Sequence, residues 1–539
     1  MSFALFLSLI APLVGSSILL VAARVSWLTP YRRIVLAAAA GLSFIAVLFV
    51  PLETAPAAIL SRWYPSAFFG TFPTLLAEPG TWVLALALSG TIAASALVQM
   101  GRRPEPRFYL GLGALGMLTT GLAALWAENL PTVVIAWAAF DLAWMLGALA
   151  AGLPTQRTIP GSGINALATS LLWAGALVLA GQNKGLSWHL VAATGPGGSL
   201  VLVAGLLRLG LLPLHMALPE WKGRNPPGGG VLLVGPLLGW GLLARFVTAG
   251  GTLAGTPWVE ALAMITFVGG GLLAWTRPGV SGGWPWAGLA AIGGLLWAGT
   301  RAGESTATLF AMGGAAWALG ALLLHVDRGF DRSAPGWSIP TVIGGLSLLG
   351  APMTMGAVTT GSLATTLATG PSAWRIFVAI LGQILLTAAV GRRILRPAAN
   401  EARAGPLFAA SRLAGVLLPA LFLLLGGLLP RHLALSAECP TLHGLLTAPG
   451  FVGWGIWVSG VLIGAALAWG ERFFRRQIDP LLSLLHDFFR LEWLVRLLLD
   501  STARLVRFLG VVADMAEGPG AILWALAIFL LILKILGGS

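Results

Sequence analysis

The chain of 539 residues is 57% hydrophobic and only 9% charged, with a mean hydropathy of +0.88. Soluble globular proteins carry about 25% charged residues, so this composition excludes a soluble globular chain and indicates a polytopic membrane protein. The net charge of +13 does not indicate nucleic-acid binding, because the arginines cluster in short loops between apolar runs. The single cysteine, Cys439, excludes a disulfide framework and a cysteine metal cluster.

Apolar runs close to the length that crosses a bilayer recur along the whole chain. They predict sixteen transmembrane helices, at approximately 2–23, 34–52, 80–100, 108–126, 131–152, 164–181, 196–213, 228–249, 257–275, 284–300, 305–325, 338–366, 374–391, 411–430, 451–470 and 519–537. The loops rich in arginine and lysine all fall on one side of such an arrangement. The positive-inside rule then predicts that both termini face outside, in a bacterial cytoplasmic membrane.

Two of the predicted spans contain helix-breaking residues. Span seven meets Pro213, and span twelve contains Gly350, Pro352 and Gly356 within the run LSLLGAPMTMG. A pair of interrupted helices in two halves of a transporter marks an ion or substrate site, because broken backbone in a membrane must be satisfied by protein or a water-filled cavity. The alternative is a pair of kinks without a transport role, since proline and glycine are common in transmembrane helices.

The C-terminal part contains one long segment that is not expected to cross the membrane. Residues 472–517 carry charges throughout, mostly at steps of three and four residues, which predicts an amphipathic helix with one polar stripe. Such a helix lies along a membrane surface or against neighbouring subunits. A final span, which ends near Lys534, would anchor the chain.

Three motifs resemble those of a known family. The segment from Pro213 to Phe246, PLHMALPEW…NPPGGGVLLVGPLLGWGLLARF, resembles the signature of the antiporter-like subunits of respiratory complex I, membrane-bound hydrogenases and multisubunit cation/proton antiporters. AENLPTVVIAW (127–137) resembles the start of that family's fifth span, and LSLLGAPMTMG its broken twelfth span. The amphipathic helix followed by a last span resembles the lateral arm of the largest such subunit.

The resemblance implies an all-α polytopic membrane protein with about sixteen transmembrane helices, two inverted five-helix repeats, broken helices 7 and 12, a lateral helix and an anchor. The expected divisions are helices 1–3 (1–107), the first repeat (108–249), the second repeat (257–391), helices 14–15 (392–470), the lateral helix (471–517) and the anchor helix (518–539).

In this family, protons move along a buried row made of a glutamate in span five, lysines in spans seven and eight, and a lysine or glutamate in span twelve. A lysine desolvated in the membrane exchanges protons, whereas an arginine practically never releases one. When the family's spacing is laid on this chain, those positions are occupied by Ala138, Arg208, Gly239 and Thr360. The resemblance therefore implies a retained architecture with an interrupted proton path.

Asp141 and Arg208 are the ionisable residues deepest in their predicted spans, and an intramembrane charge is a functional candidate by default. Three interpretations remain open: a buried ion pair left from an older path, a modified ion path, or two residues that face separate cavities or subunits. His215, beside Pro213, either exchanges protons near an unperturbed pKa of about 6.5 or caps the broken helix. Arg245 is expected to extend to the lipid headgroups.

The chain shows no phosphate loop, dinucleotide-binding motif or nucleophile elbow, so we expect neither a cofactor nor catalysis by this chain alone. No metal site is predicted either. The loop that contains His432, Glu438, Cys439 and His443 lacks the close ligand spacing of zinc sites.

The resulting prediction is an antiporter-like membrane subunit that contacts lipid and other membrane and peripheral subunits, and binds no nucleic acid. The redox chemistry of such a proton-translocating oxidoreductase would lie in the partners, while this chain acts largely as a scaffold. One alternative is the membrane partner of a soluble zinc-carrying subunit in an ion-gradient-driven complex for uptake of CO2 or bicarbonate. Another is a purely structural membrane component.

Overall fold

The computed structural model describes residues 3–52, 57–58, 72–100, 108–182, 185–219, 229–253, 255–277, 284–326, 338–369, 372–395, 406–430 and 448–491, with separate residues between 493 and 534. The chain forms two compact units, Met1–His486 and Asp487–Ser539. The loop 220–228, the cysteine-containing loop 431–447 and most of the predicted anchor span lie outside the described residues.

The described part of the chain consists mainly of α-helices. The helices up to residue 248 are α1 (Phe3–Arg24), α2 (Arg32–Leu48), α3 (Pro79–Met100), α4 (Phe108–Trp126), α5 (Leu130–Ala150), α6 (Thr155–Gln182), α7 (Gly195–Leu209) and α8 (Gly235–Thr248). Those that follow are α9 (Pro257–Thr276), α10 (Trp284–Gly299), α11 (Thr306–Val326), α12 (Ile339–Leu348), α13 (Ala357–Thr369), α14 (Ala373–Ile394), α15 (Pro406–Leu428) and α16 (Ala448–Phe489).

Twelve helices in the described part of the chain are long and apolar enough to cross a membrane, and α7, α10 and α12 are shorter apolar helices. The chain is therefore an all-α polytopic membrane protein, which confirms the predicted fold class. Each of the first fifteen predicted spans overlaps a described helix, and the twelfth corresponds to the pair α12 and α13.

Three helices occupy the centre of the first unit. In the most apolar part of the spans that contain α3, α8 and α11, 89% of the residues are buried inside the protein. In the corresponding part of α1, only 33% of the residues are buried. α11 packs against both α3 and α8. The outer helices instead expose large apolar side chains such as Phe3, Leu13 and Leu421, which suits a surface that faces lipid tails.

The same succession of helix contacts occurs in the two predicted repeats. In residues 108–249, α4 packs on α5, α5 on α6, and α6 on α7; in residues 257–391, α9 packs on α10, α10 on α11, and α11 on α12. The division of the chain into two five-helix repeats remains a prediction, as does the inversion of one repeat relative to the other.

A short strand pair lies before α3. Ala57–Ala58 pairs antiparallel with Thr74–Leu75, and isolated bridges join Leu75 to Ala127 and Asn129 to Ser187. These bridges tie the connections before α3, α5 and α7 into one layer at the end of the bundle where α8 finishes.

The last helix of the first unit is longer than predicted. α16 spans 42 residues and passes without interruption from the predicted span 451–470 into the amphipathic segment. The boundary predicted at residue 471 is therefore not a helix boundary. The charges at this point misled the prediction, because Glu471 is buried and pairs with Arg392 and Arg475 instead of marking a helix end. The helix finishes near Leu491, whose φ of 53° is left-handed.

Candidate functional site

The interruption of span seven begins at Gly210. α7 ends at Leu209, and Gly210 follows in a left-handed conformation (φ 69°), with its N–H donated to Leu207 O. This is the usual glycine end of a helix. Pro213 lies three residues further on, in a turn and after a cis Leu212–Pro213 peptide bond. The helix therefore stops before the proline that was predicted to break it.

The structure brings Asp141 of α5 and Arg208 of α7 into direct contact. Arg208 Nη1 donates a hydrogen bond to Asp141 Oδ1, and the two side chains are 1% and 15% exposed. Thr169 of α6 donates its hydroxyl to Asp141 Oδ2 at 2.9 Å. The pair therefore joins three helices, and the interpretation in which the two charges face separate cavities is wrong.

Aromatic rings enclose the rest of the Arg208 guanidinium. Its Cζ lies 4.7 Å from the ring centroid of Trp137 and 5.2 Å from that of Phe140. The Nε and Nη2 atoms are buried and have no hydrogen-bond partner among the described residues. Flat stacking on aromatic faces is a favourable environment for arginine. One carboxylate and two rings thus hold the cation in a single arrangement.

At two of the four positions that the resemblance assigns to the proton path, the structure leaves no place for a buried titratable side chain. Ala138 lies on the exposed face of α5. Gly239 lies where α8 crosses α7, and a Cβ atom there would come within 2.9 Å of Leu209 Cδ2 and 3.1 Å of Gly205 O. The close approach of these two helices leaves no space for a lysine side chain at position 239.

His215 belongs to a different set of contacts. It is 2% exposed, its Nδ1 lies 3.0 Å from Pro213 O, and its ring centroid is 4.7 Å from that of Trp286. The ring of Trp286 also makes an edge-on contact with His486 of α16, with 6.0 Å between the two ring centroids. Within the described part of the chain, Asp141 and Arg208 make no hydrogen bond or ring contact with His215. The three ion-path candidates therefore form two separate groups.

Span twelve is interrupted between α12 and α13. Gly350 has a left-handed φ of 70°, and Pro352 and Gly356 lie in the same irregular stretch. A Cβ atom at position 356 would come within 1.8 Å of the carbonyl oxygen of Ser347. Only glycine fits this position, because the obstacle is backbone rather than a movable side chain.

Side chains from two neighbouring helices satisfy the exposed backbone of this break. Gln383 Nε2 of α14 and Trp457 Nε1 of α16 both donate to Leu349 O, at 3.0 and 2.8 Å. The N–H of Met355 donates to Leu423 O of α15. These contacts meet the requirement that broken backbone within a membrane be hydrogen-bonded inside the protein.

Thr360, the fourth position implied by the resemblance, lines a cavity of about 40 Å³ beside the break. No aspartate, glutamate, lysine, arginine or histidine is among the lining residues. The sequence analysis missed Gln383, Trp457 and Ser347 at this break. A glutamine within an apolar span was the available signal, since a polar side chain there needs a partner.

Arg245 is buried, contrary to expectation. It is 4% exposed, donates Nη1 to Ala127 O, and pairs with Glu78 at 3.4 Å. The end of α8 lies beside the connections before α3 and α5, which supply the carbonyl and carboxylate oxygens that Arg245 contacts. The nearby Glu128 is also buried and accepts hydrogen bonds from Thr74 and Ser187.

The resulting cluster closes one end of the bundle. Asn129 caps α5, with its Oδ1 accepting the N–H of Thr132 at 3.0 Å, and a proline follows in the first helical turn. An asparagine before Leu130–Pro131 is a helix-start signal that could have located this end of the helix from sequence.

Among the described residues, no group of three histidine, cysteine or acidic side chains could hold a metal ion. The loop with Cys439 lies outside them.

Comparison with solved structures identifies the fold. The chain is similar to a chain of the Mrp complex from Dietzia sp. DQ12-45-1b, with a TM-score of 0.71 and 17% identity over 99% of this chain and 62% of that one. It is similar to a chain of the membrane-bound sulfane sulfur reductase, an archaeal respiratory membrane complex (TM-score 0.70, 17% identity, 98% and 99% coverage). A chain of respiratory complex I from Thermus thermophilus also matches (TM-score 0.61, 18% identity, 86% and 99% coverage).

These similarities show that the chain shares the fold of the matched chains of the Mrp complex, the membrane-bound sulfane sulfur reductase and respiratory complex I, as the motif resemblance implied. The chain spans 62% of the length of the matched Mrp chain. No family model matches the sequence, and no curated protein sequence matches it.

Proposed function

We propose that this protein is an antiporter-like membrane subunit of a multisubunit, complex I-like assembly that translocates protons or other ions. In this proposal its own proton path is impaired, and it acts largely as a scaffold. The similarity to chains from three such complexes over 86–99% of its length supports the assignment to a larger assembly.

The observation that carries the impaired path is the enclosed pair of Asp141 and Arg208. A relay residue must change its protonation state during each cycle, and a guanidinium effectively never does so. The carboxylate is neutralised by that guanidinium and accepts a further hydrogen bond from Thr169. Protonating Asp141 would leave Arg208 buried without its counter-charge, which is costly in a low-dielectric interior.

Among the residues that the structure describes, the surroundings of the pair offer no substitute relay along the same row. Gly239 is packed directly against α7, and Thr360 faces a cavity whose lining contains no group that titrates near neutral pH. His215 is engaged with Pro213 and Trp286, apart from the ion pair. These contacts support a core that keeps the helix packing of a transporter without its chain of titratable groups.

The scaffold role is supported by the attachment of α16 to the second half of the bundle. Glu471 is 4% exposed and pairs with Arg392 of α14 and Arg475. Arg392 donates to Trp275 O and Arg277 O, and Arg475 also donates to Arg277 O. Cations at the end of α9 satisfy its last carbonyls and oppose its dipole. The long helix is thereby fixed to α9 and α14, as an arm that supports neighbouring subunits requires.

The proposal places the protein in a bacterial cytoplasmic membrane with both termini outside. Its partners are lipid and other membrane and peripheral subunits, which carry any redox chemistry. The test is purification of the tagged full chain from its own membranes in mild detergent, followed by native mass spectrometry and absorption spectroscopy. We expect a complex with additional membrane subunits and an iron–sulfur absorption band.

Two outcomes would contradict this assignment. Recovery with a single soluble zinc protein would support the inorganic-carbon alternative, and recovery of the chain alone would remove the basis for a multisubunit assembly. A matched preparation of the Asp141→Leu/Arg208→Met variant should yield the same complex in the same amount, because apolar residues of similar volume replace the pair without leaving a buried charge.

A further inference from the structure

The cavity at the break of span twelve is lined by polar groups that lack partners. It has a volume of about 40 Å³ and lies among the six helices α9 to α14, next to the irregular stretch. Ser347, which is 2% exposed, lines it, and its Oγ is buried with no hydrogen-bond partner in the described part of the chain.

Gln383 provides a second polar group of this kind. Its side chain is 9% exposed, and its Nε2 is committed to Leu349 O. Its Oε1 makes no hydrogen bond to any described residue. Thr359 and Thr360 add two hydroxyl groups to the same wall. The lining therefore offers several hydrogen-bonding atoms around one cavity.

The size and chemistry of this space select its occupant. A buried water molecule needs roughly 10–15 Å³ of such volume and between two and four polar partners. A cavity of about 40 Å³ with one amide and three hydroxyl groups meets both conditions for a small cluster. A metal cation is disfavoured because no carboxylate lines the cavity, and an uncompensated charge is strongly disfavoured in such an interior.

We propose that this cavity is a binding site for a cluster of two or three water molecules that hydrogen-bond Gln383 Oε1 and the hydroxyls of Ser347 and Thr360. The water hydrates the interrupted helix, while Gln383 and Trp457 donate hydrogen bonds to the carbonyl of Leu349. The proposal is independent of whether the protein conducts protons, because it depends only on the cavity and the polar groups that line it.

The test is a cryo-electron microscopy map of the purified full chain, with whatever subunits accompany it, at a resolution that shows ordered water. Samples are prepared in sodium and in choline buffer. We expect separate density peaks within hydrogen-bonding distance of Gln383 Oε1 in both buffers. Continuous alkyl density, no density, or a peak that disappears when choline replaces sodium would overturn the proposal.

Variants provide a second measurement. Gln383→Leu/Thr360→Val should remove the peaks with no change in the path of α12 and α13, because Trp457 still holds Leu349 O. An apolar cavity stays dry and binds xenon, so this variant should take up xenon under pressure while the unaltered protein should not. Gln99→Leu on α3, also a buried glutamine, is the matched control and should leave the peaks in place. Xenon binding in the unaltered protein would contradict the proposal.

Discussion

The two interrupted spans solve the same problem with different chemistry. Near the end of α7, Arg208 is compensated by Asp141 and by two aromatic rings, and Gly210 closes the helix. Between α12 and α13 there is no charge, and Gln383 and Trp457 donate to the free carbonyl. The difference shows that a broken helix in lipid requires satisfied backbone, whereas an ionisable residue is a separate feature that can be changed independently.

Breaking the ion pair should have the largest effect. We expect Asp141→Ala to lower the free energy of unfolding by about 3–5 kcal/mol, because it leaves the buried Arg208 charge without a counter-charge. Denaturant titration of the full chain in mixed micelles measures the change. Arg301→Gln removes one partner of a half-exposed pair with Glu260 and serves as the control, with an expected loss of at most about 1 kcal/mol. Equal losses in the two variants would show that Arg208 is not buried as described.

The backbone of the second break should be almost as sensitive. Gly356→Ala should cost about 3 kcal/mol, the upper part of the range for overpacking, because the new Cβ meets the carbonyl oxygen of Ser347. Gly163→Ala in α6, where nothing lies within 4 Å, is the matched control and should be neutral or slightly stabilising. The same titration distinguishes them, and a neutral Gly356→Ala would contradict the close approach.

The two donors to Leu349 O should act together. Trp457→Phe or Gln383→Leu alone should cost about 0.5–1.5 kcal/mol, because the other donor still satisfies the carbonyl. The double variant should cost about 1–3 kcal/mol more than the sum of the two single changes, since only the double change leaves a buried acceptor unpaired. A double-mutant cycle measures this coupling. Strict additivity would show that the two donors do not share one acceptor.

The crossing of α7 and α8 should be the mildest of these sites. Gly239→Ala is expected to cost about 1 kcal/mol, at the lower end for overpacking, because the nearest obstacle is the movable end of Leu209. Gly239→Lys should instead prevent accumulation of the full chain in the membrane, since the longer side chain meets Gly205 O as well. Immunoblotting of membrane fractions measures this, and normal accumulation of the lysine variant would contradict the closed packing.

Sequence patterns located the spans because apolar length is a strong signal in a membrane protein, and they located both breaks from proline and glycine. They did not give the exact end of α7, since Gly210 ends the helix before Pro213 is reached. The continuity of α16 was also missed. Charges at Glu471 and Arg475 resemble a membrane boundary in sequence, but in three dimensions they pair with each other, and Glu471 also pairs with Arg392 of α14.

The candidate site was less accessible to sequence, because helix rotation cannot be read from composition. Asp141 and Ala138 lie three residues apart on α5, yet one contacts Arg208 and the other faces outward. Arg245 was expected at the lipid surface, but its partners come from connections distant in sequence. Long-range partners of this kind emerge only when the helices are packed together.

The most direct test of the impaired path is the number of protons moved per turnover by the assembled complex in sealed proteoliposomes. The neutral variant Asp141→Leu/Arg208→Met removes both charges of the pair while preserving a packed interior. If this chain is a scaffold, the ratio should equal that of the unaltered complex at equal subunit content. A ratio that falls while assembly and turnover are retained would show that the pair lies on a working ion path, and would contradict the account.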